Sequence, residues 1–138
     1  MLRGVWRKRR IGKGKFFKTK LLMVVKLRVF DLMKTRGLTS WIKGNTKEFA
    51  EDGFIVEVDR VIIDDLHIFA EAMKEGRGLE LELDLPSNEG IMRAKGKVLW
   101  FKHTPKGSPY PFMAGVQLVE MGKEEKKTWL KFTKGFPG

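Results

Sequence analysis

The sequence predicts an all-β domain whose antiparallel strands close into a barrel, with one short inserted helix and one C-terminal helix. Two observations predict this class. Strand-like segments recur at roughly ten-residue spacing and are joined by turns rich in Gly, Pro, Asn and Asp. One of them, Leu79 to Leu85, alternates strictly between leucine and acid, as half-buried antiparallel strands do. A meander of such strands protects its edges by closing on itself.

Leu21 to Asp31 is the first predicted strand. It is rich in valine, and Lys26 and Arg28 alternate with Leu27 and Val29, which favours a strand. A helix is the alternative, because apolar residues also recur there at helical spacing. Propensity alone does not decide between the two.

The next predicted elements are a strand from Leu38 to Glu48 with a turn at 43–45, a turn at 51–53, and a short strand from Phe54 to Val58. The pattern then changes to helical spacing between Asp64 and Glu75. Either Asp64 or Asp65 is predicted to cap this helix, and Gly76 to end it through a positive φ angle.

The second half of the chain contains three predicted strands and the terminal helix. Pro86-Ser87-Asn88 ends the alternating strand at Leu85. Met92 to Phe101 is predicted as a strand with Ala94, Val98 and Trp100 on one face. A loop from His103 to Pro111, a strand from Phe112 to Leu118 and an amphipathic helix from Lys123 to Lys134 complete the prediction, the helix packing through Met121, Trp129, Leu130 and Phe132.

The charge of the chain is concentrated at its start. The net charge is +11, and residues 1–36 hold thirteen Lys and Arg against one acid, whereas residues 37–138 hold fifteen against sixteen. Residues 1–20 carry no apolar period and are predicted to form a basic, flexible N-terminal arm in front of a barrel domain at 21–138. Such an arm favours an anionic partner: a nucleotide, a nucleic acid or an acidic membrane.

Composition and motifs argue against several classes of protein. The chain has no cysteine, which excludes disulfides, thiolate metal sites and cysteine nucleophiles. No segment reaches the roughly 18–20 apolar residues that a membrane-spanning helix needs, and we expect a cytoplasmic protein. Neither His67 nor His103 belongs to a catalytic or zinc motif. We therefore expect no enzymatic activity, no metal and no catalytic residues.

Four segments, in order, resemble the PilZ domain family. Glu48-Phe49-Ala50-Glu51-Asp52-Gly53 resembles the family's Asp/Asn-x-Ser-x-x-Gly motif, and 78–86 is similar to its alternating strand ending in Leu-Pro. Residues 94–100 resemble its Gly-x-Val-x-Trp strand, and 114–118 its Gly-Val-x-Phe strand. The resemblance covers about residues 24 to 134 and implies a six-stranded antiparallel barrel.

The resemblance further implies that the ligand is cyclic di-GMP, gripped by an Arg-x-x-x-Arg motif ahead of the first strand and by the second motif on the barrel surface. Guanidinium groups suit this ligand because they bind phosphate and guanine edges with two parallel hydrogen bonds. The candidate ligand-binding residues are Arg3, Arg7, Arg9, Arg10, Glu48, Ala50 and Gly53. Glu48 and Ala50 depart from the Asp/Asn and Ser of the motif, and lysines stand where the arginine pair is expected, at about 13–20.

Three functions follow as hypotheses. The first is a cyclic di-GMP-responsive effector that regulates a bacterial process such as motility, pili or polysaccharide output. The second is a degenerate PilZ-like adaptor that has lost the nucleotide and binds a protein. The third is a barrel that binds nucleic acid through the arm, with Trp6, Phe16 and Phe17 as stacking surfaces.

Overall fold

A computed structural model describes residues 23–85, 90–104 and 109–134 of the chain. Within these ranges most residues belong to antiparallel strands, followed by a terminal helix. The elements are β1 (Val24–Asp31), β2 (Arg36–Gly37), β3 (Ile42–Ala50), β4 (Gly53–Val58), β5 (Ile62–Ile63), β6 (Leu66–His67), α1 (Ile68–Ala72), β7 (Arg77–Leu85), β8 (Gly90–His103), β9 (Phe112–Glu120) and α2 (Lys123–Lys134).

Six of these strands form a closed barrel, which confirms the predicted fold class. The strand order is β1-β3-β4-β9-β8-β7, and β7 pairs back onto β1. In this closing pair Val25 lies opposite Leu83 and Val29 opposite Leu79. β2 extends the sheet beside β1, and β5 and β6 form a separate two-stranded hairpin.

The core lies inside the barrel, where alternate residues of each strand point inward. The β7 leucines predicted to face the core are all buried, as are Val25, Leu27 and Val29 of β1. This pattern selects the strand over the helix for the first segment. The helix α1 packs against β1, β7 and β8, and α2 packs through Trp129.

A polar network centred on the buried Glu71 side chain connects α1 to the start of β7. Arg77 Nη1 donates to Glu71 Oε2 at 2.8 Å, and Lys74 pairs with the same carboxylate. Lys97 Nζ donates to the backbone carbonyls of Lys74 and Arg77, at 2.6 Å each. Burial lowers the pKa of Lys97, and the nearby Glu75 carboxylate partly opposes this shift.

The turn predicted at 43–45 is wrong, because β3 continues through these residues. Gly44 lies opposite Val25, and a Cβ atom added at Gly44 would lie 2.6 Å from the carbonyl oxygen of Glu57. The glycine therefore permits a close approach between backbones, a common reason for glycine within a strand. The turn predicted at 51–53 is confirmed between β3 and β4.

The inserted helix is shorter than predicted, and its cap is a different residue. Asp64 and Asp65 form the turn between β5 and β6, with φ angles of +52° and +68°. The cap is His67, whose Nδ1 accepts a hydrogen bond from the backbone N–H of Ala70 at 3.1 Å. Gly76 has the predicted positive φ angle, +77°, but it does not end the helix, which stops at Ala72 with Met73 as its C-cap.

The predicted face of Trp100 is wrong because β8 contains a β-bulge. The pairing of β8 with β9 shifts between Val98 and Trp100, which leaves Leu99 as the extra residue. A bulge reverses which face the following residues occupy. Trp100 therefore lies on the opposite face from Ala94 and Val98. β8 also extends through His103, which was predicted to open the loop.

The predictions for the N-terminal arm, including Arg3, Arg7, Arg9 and Arg10, fall outside the described residues. So do the end of the alternating strand at 86–88 and the middle of the loop before β9. The predicted boundary between arm and barrel stays a prediction.

Candidate functional site

The residues that resemble the family motif lie together where β3 turns into β4. Glu48 is opposite Ile55, and Ala50 is opposite Gly53. A register shift next to Lys47 precedes them and sets the direction in which Glu48 points. The structure therefore brings Glu48, Ala50 and Gly53 to one hairpin, at the surface of the barrel wall.

A row of directly opposed residues crosses the outside of the barrel from this hairpin. Ile55 stands between Phe54 and Val56, which both belong to the core, so Ile55 points outward. Its partner on β9 is Gly115, and the partner of Gly115 on β8 is Trp100. We call these residues the outer row: Glu48, Ile55, Gly115 and Trp100.

The indole of Trp100 lies across Gly115 within this row. A Cβ atom added at Gly115 would overlap Trp100 Nε1, so only glycine leaves room for the ring. Trp100 Nε1 is buried and has no hydrogen-bond acceptor in the described part of the chain. A buried donor without an acceptor costs about 1–3 kcal/mol. An oxygen atom of a ligand held over the outer row would remove this cost.

The side chains of Lys102 and Ile55 define the surroundings of the outer row further. Lys102 Nζ lies 5.8 Å from the ring centroid of Trp100, within the range of a cation–π contact. Ile55 is only 4% exposed although it points away from the core. The outer row thus brings together an aromatic ring, an unpartnered N–H donor and a nearby cation beside the buried Ile55 side chain, a combination that suits an anionic ligand with planar rings.

The helix α2 holds the other side of the hairpin. Trp129 Nε1 donates to the carbonyl oxygens of Ala50 at 3.2 Å and Glu51 at 3.0 Å. The carbonyl oxygen of Asp52 accepts from the backbone N–H of Leu118 at 2.8 Å. Ala50 itself is 8% exposed and supplies no hydroxyl group. The backbone carbonyls of the turn are therefore held by donors from two elements, the Trp129 side chain of α2 and the Leu118 backbone of β9.

Comparison with known proteins identifies the fold. No protein-family model matches the sequence, and neither does any curated protein. Two of the similar solved structures align with 90% of this chain. They are the inhibitor of motility MotI/DgrA of Bacillus subtilis, with a TM-score of 0.60 and 14% identity, and the PilZ domain of YcgR from Escherichia coli with c-di-GMP, with a TM-score of 0.56 and 7% identity.

The chain folds as a PilZ-like domain. It covers 91% of the YcgR PilZ domain but spans only half the length of MotI/DgrA. At these identities the similarity concerns the arrangement of the backbone, whereas the side chains of the site must be judged on their own geometry. In this PilZ-like domain the residues that resemble the family motif border the outer row.

Sequence reasoning identified Trp100 only as part of a resembling strand and missed it as a site residue. The cue was present, because Trp100 follows the Gly96-x-Val98 pattern. The sequence pattern predicted that Trp100 faces the core, which excluded it from the candidate site. The bulge at Leu99 that reverses its direction does not appear in the sequence periodicity.

The PilZ-like domain shows two further properties within its described residues. No group of three or more His, Asp or Glu side chains converges in a way that could hold a metal ion. Neither described helix is long and apolar enough to cross a membrane.

Proposed function

We propose that this protein is a cyclic di-GMP-responsive effector without enzymatic activity, which acts in the bacterial cytoplasm by binding a protein partner. The observation that carries the proposal is the outer row, with its aromatic ring and unpartnered N–H donor beside the hairpin that resembles the family motif. The fold supports it, since a PilZ domain of the same architecture has been solved with c-di-GMP. A process such as motility, pili or polysaccharide output is the proposed target.

In this proposal the ligand sits over the outer row, and the basic arm supplies its counter-charge. Arg3, Arg7, Arg9 and Arg10 bind the phosphates and guanine edges, with the cost of ordering the arm offset by charge-assisted hydrogen bonds. Glu48 accepts from guanine N–H groups, and Gly53 permits the turn beside it. Trp100 Nε1 donates to a ligand oxygen.

Calorimetry with cyclic di-GMP tests this function. The variant R7Q/R9Q/R10Q should bind at least about tenfold more weakly, because each lost charge-assisted bond is worth about 1.5–3 kcal/mol. The control K123Q/K127Q/K131Q removes the same number of charges from α2, where all three lysines are exposed, and should bind as the wild type does. Equally weaker cyclic di-GMP binding in both variants would show that the arm contributes only nonspecific charge. If the wild type gives no heat of binding at tens of micromolar protein, the proposed function is rejected.

A second candidate function is the adaptor that binds a protein but no nucleotide. Ala50 favours it, because the position lacks a hydroxyl group and its carbonyl oxygen already accepts from Trp129. Two results together would select this function over the first. The protein would bind no cyclic di-GMP, and a protein partner recovered with the wild type from the native cell would no longer bind the Glu48→Arg variant.

A further inference from the structure

The outer faces of β1, β3, β7 and β8 carry a charge pattern with one irregularity. Cross-strand neighbours there alternate in sign. Arg28 pairs with Glu80 at 2.7 Å, Arg93 with Glu82 at 3.3 Å, and Lys95 with Glu120 of β9 at 3.0 Å. Such alternation stabilises a sheet, since opposite charges on facing residues attract.

The pairing of Lys26 with Lys43 interrupts this pattern, whereas on its other side Lys26 faces the acid Glu82 of β7. The two lysines are directly opposed on β1 and β3, and both are exposed. Neither forms a hydrogen bond or ion pair within the described residues, and the nearest facing acid, Glu82, already pairs with Arg93. Like charges on directly opposed residues destabilise a sheet. An arrangement that costs stability in this way is typical of a binding site.

A groove of about 330 Å³ lies between these two lysines. Its other lining residues are Trp41, Ile42 and Glu82. The guanidinium of Arg28 covers the Trp41 ring, with Cζ 4.5 Å from its centroid, and is itself held by Glu80. Arg28 thus holds the Trp41 ring from one side, and Trp41 lines the groove together with the two lysines.

We propose that Lys26, Lys43 and Trp41 form a second binding site, for a small phosphate ester with a planar ring, of the mononucleotide class. Ammonium groups on facing residues can converge on one phosphate, since lysine acts as a flexible point charge. Trp41 contacts the ring, and Glu82 accepts from an amino or hydroxyl group of the ligand. The carboxylates of Glu82 and Asp84 on the neighbouring strand restrict the site to a compact anion, because they would repel an extended nucleic-acid strand.

The site is separate from the outer row. Lys43 stands at the opposite end of β3 from Glu48, and Lys26 belongs to β1, which contributes nothing to the outer row. The proposal therefore stands or falls independently of cyclic di-GMP binding.

Titration of the ¹⁵N-labelled full chain with AMP at fixed ionic strength tests the site by NMR. We expect saturable shifts of the Lys26 and Lys43 amides and of the Trp41 indole N–H, with weaker binding of inorganic phosphate. K26Q/K43Q should weaken AMP at least about tenfold, as loss of two charge-assisted contacts implies. The control K131Q, an exposed lysine of α2, should leave the affinity unchanged.

Three results would overturn the proposal. The first is the absence of saturation at about 10 mM AMP, a concentration well above a millimolar dissociation constant. The second is an AMP affinity of K26Q/K43Q equal to that of the wild type, and the third is inorganic phosphate binding as tightly as AMP. Thermal unfolding of the same variant gives a second readout. Because the substitution removes a repulsive pair, K26Q/K43Q should melt at the wild-type temperature or above it. A lower melting temperature would contradict the repulsion on which the site was inferred.

Discussion

Trp100 and Gly115 are the two residues on which the geometry of the outer row depends most. Gly115 gives the indole room to lie flat on the sheet, and the burial of Nε1 follows from that position. In other contexts a glycine within a strand lowers stability, since it makes the unfolded chain more flexible and has no side chain to pack. Here the missing side chain is the space that Trp100 fills.

Gly115→Ala should displace Trp100 and destabilise the barrel by about 1–3 kcal/mol, the usual cost of forcing an extra methyl group into a packed site. Urea unfolding measures the change. The control is Gly122→Ala, where the added Cβ meets only the flexible end of the Glu125 side chain; because Gly122 caps α2, we expect only the smaller loss of a weakened helix cap there. A wild-type stability for Gly115→Ala would contradict the position of the indole.

Asp31 and Asp64 make the stability of the domain depend on pH. Backbone N–H donation from Lys34, opposed by desolvation and aided by Met33, lowers the pKa of Asp31. Donation from the backbone N–H and the hydroxyl of Ser40 lowers the pKa of Asp64 below its ordinary value of 3.8. A carboxylate with a lowered folded pKa stabilises the native state above its ordinary pKa, and this contribution is lost as pH falls through the lowered value.

The double variant D31N/D64N should therefore lose less stability than the wild type when pH falls from about 5 to 2. Asparagine suits the positive φ angle at position 64, so the backbone is retained. Urea unfolding across this pH range measures the two slopes, and equal slopes would show that these carboxylates do not carry the dependence.

The helix α2 is one of the two elements that hold the motif hairpin, the other being β9. Trp129 is 1% exposed, and its ring packs edge-on to Phe49 with centroids 6.1 Å apart. Its Nε1 donates to the carbonyl oxygens of two successive residues, Ala50 and Glu51. Movement of α2 and movement of the hairpin are therefore coupled.

Trp129→Phe keeps an aromatic ring and removes both hydrogen bonds. We expect a loss of about 1–3 kcal/mol in the free energy of unfolding, because two carbonyl groups lose their donor. Faster amide exchange at residues 50–53 should accompany this loss. Lys131→Ala on the exposed face of α2 is the control and should change neither quantity. Unchanged exchange at the hairpin in Trp129→Phe would show that α2 does not hold it.

The elements differ in how far the sequence could predict them. Period-two alternation located β7, and apolar spacing gave the bounds of α2, because one face of each element is buried and the other exposed. The position of the His67 cap, the path of β3 through Gly44 and the bulge at Leu99 depend on contacts with residues distant in sequence. Such contacts leave no mark in local periodicity.

In the candidate site, too, the sequence could predict local groupings of residues but not contacts between residues distant in the chain. The resemblance placed Glu48, Ala50 and Gly53 on one hairpin because they are close in sequence. Trp100, Gly115 and the pair of Lys26 and Lys43 meet their neighbours only through strand pairing, so their roles required the register of the barrel.

The whole molecule joins a nearly neutral barrel to a segment that carries the excess positive charge. In the proposed function, this separation lets the arm attract an anion while the barrel provides a defined surface for it. Within the described residues, the outer row is where an unpartnered donor and an aromatic ring lie together next to the motif hairpin.

The central claim is that cyclic di-GMP binds at the outer row. Titration of the ¹⁵N-labelled full chain with cyclic di-GMP, followed by NMR, tests it most directly. The account predicts saturable shifts of the Trp100 indole N–H and of the amides of Glu48, Ile55 and Gly115. Trp100→Phe, which keeps the ring and removes the donor, should weaken binding about five- to tenfold. If cyclic di-GMP shifts only the signals of other residues and not those of these four, or if it shifts no signals, the account is contradicted.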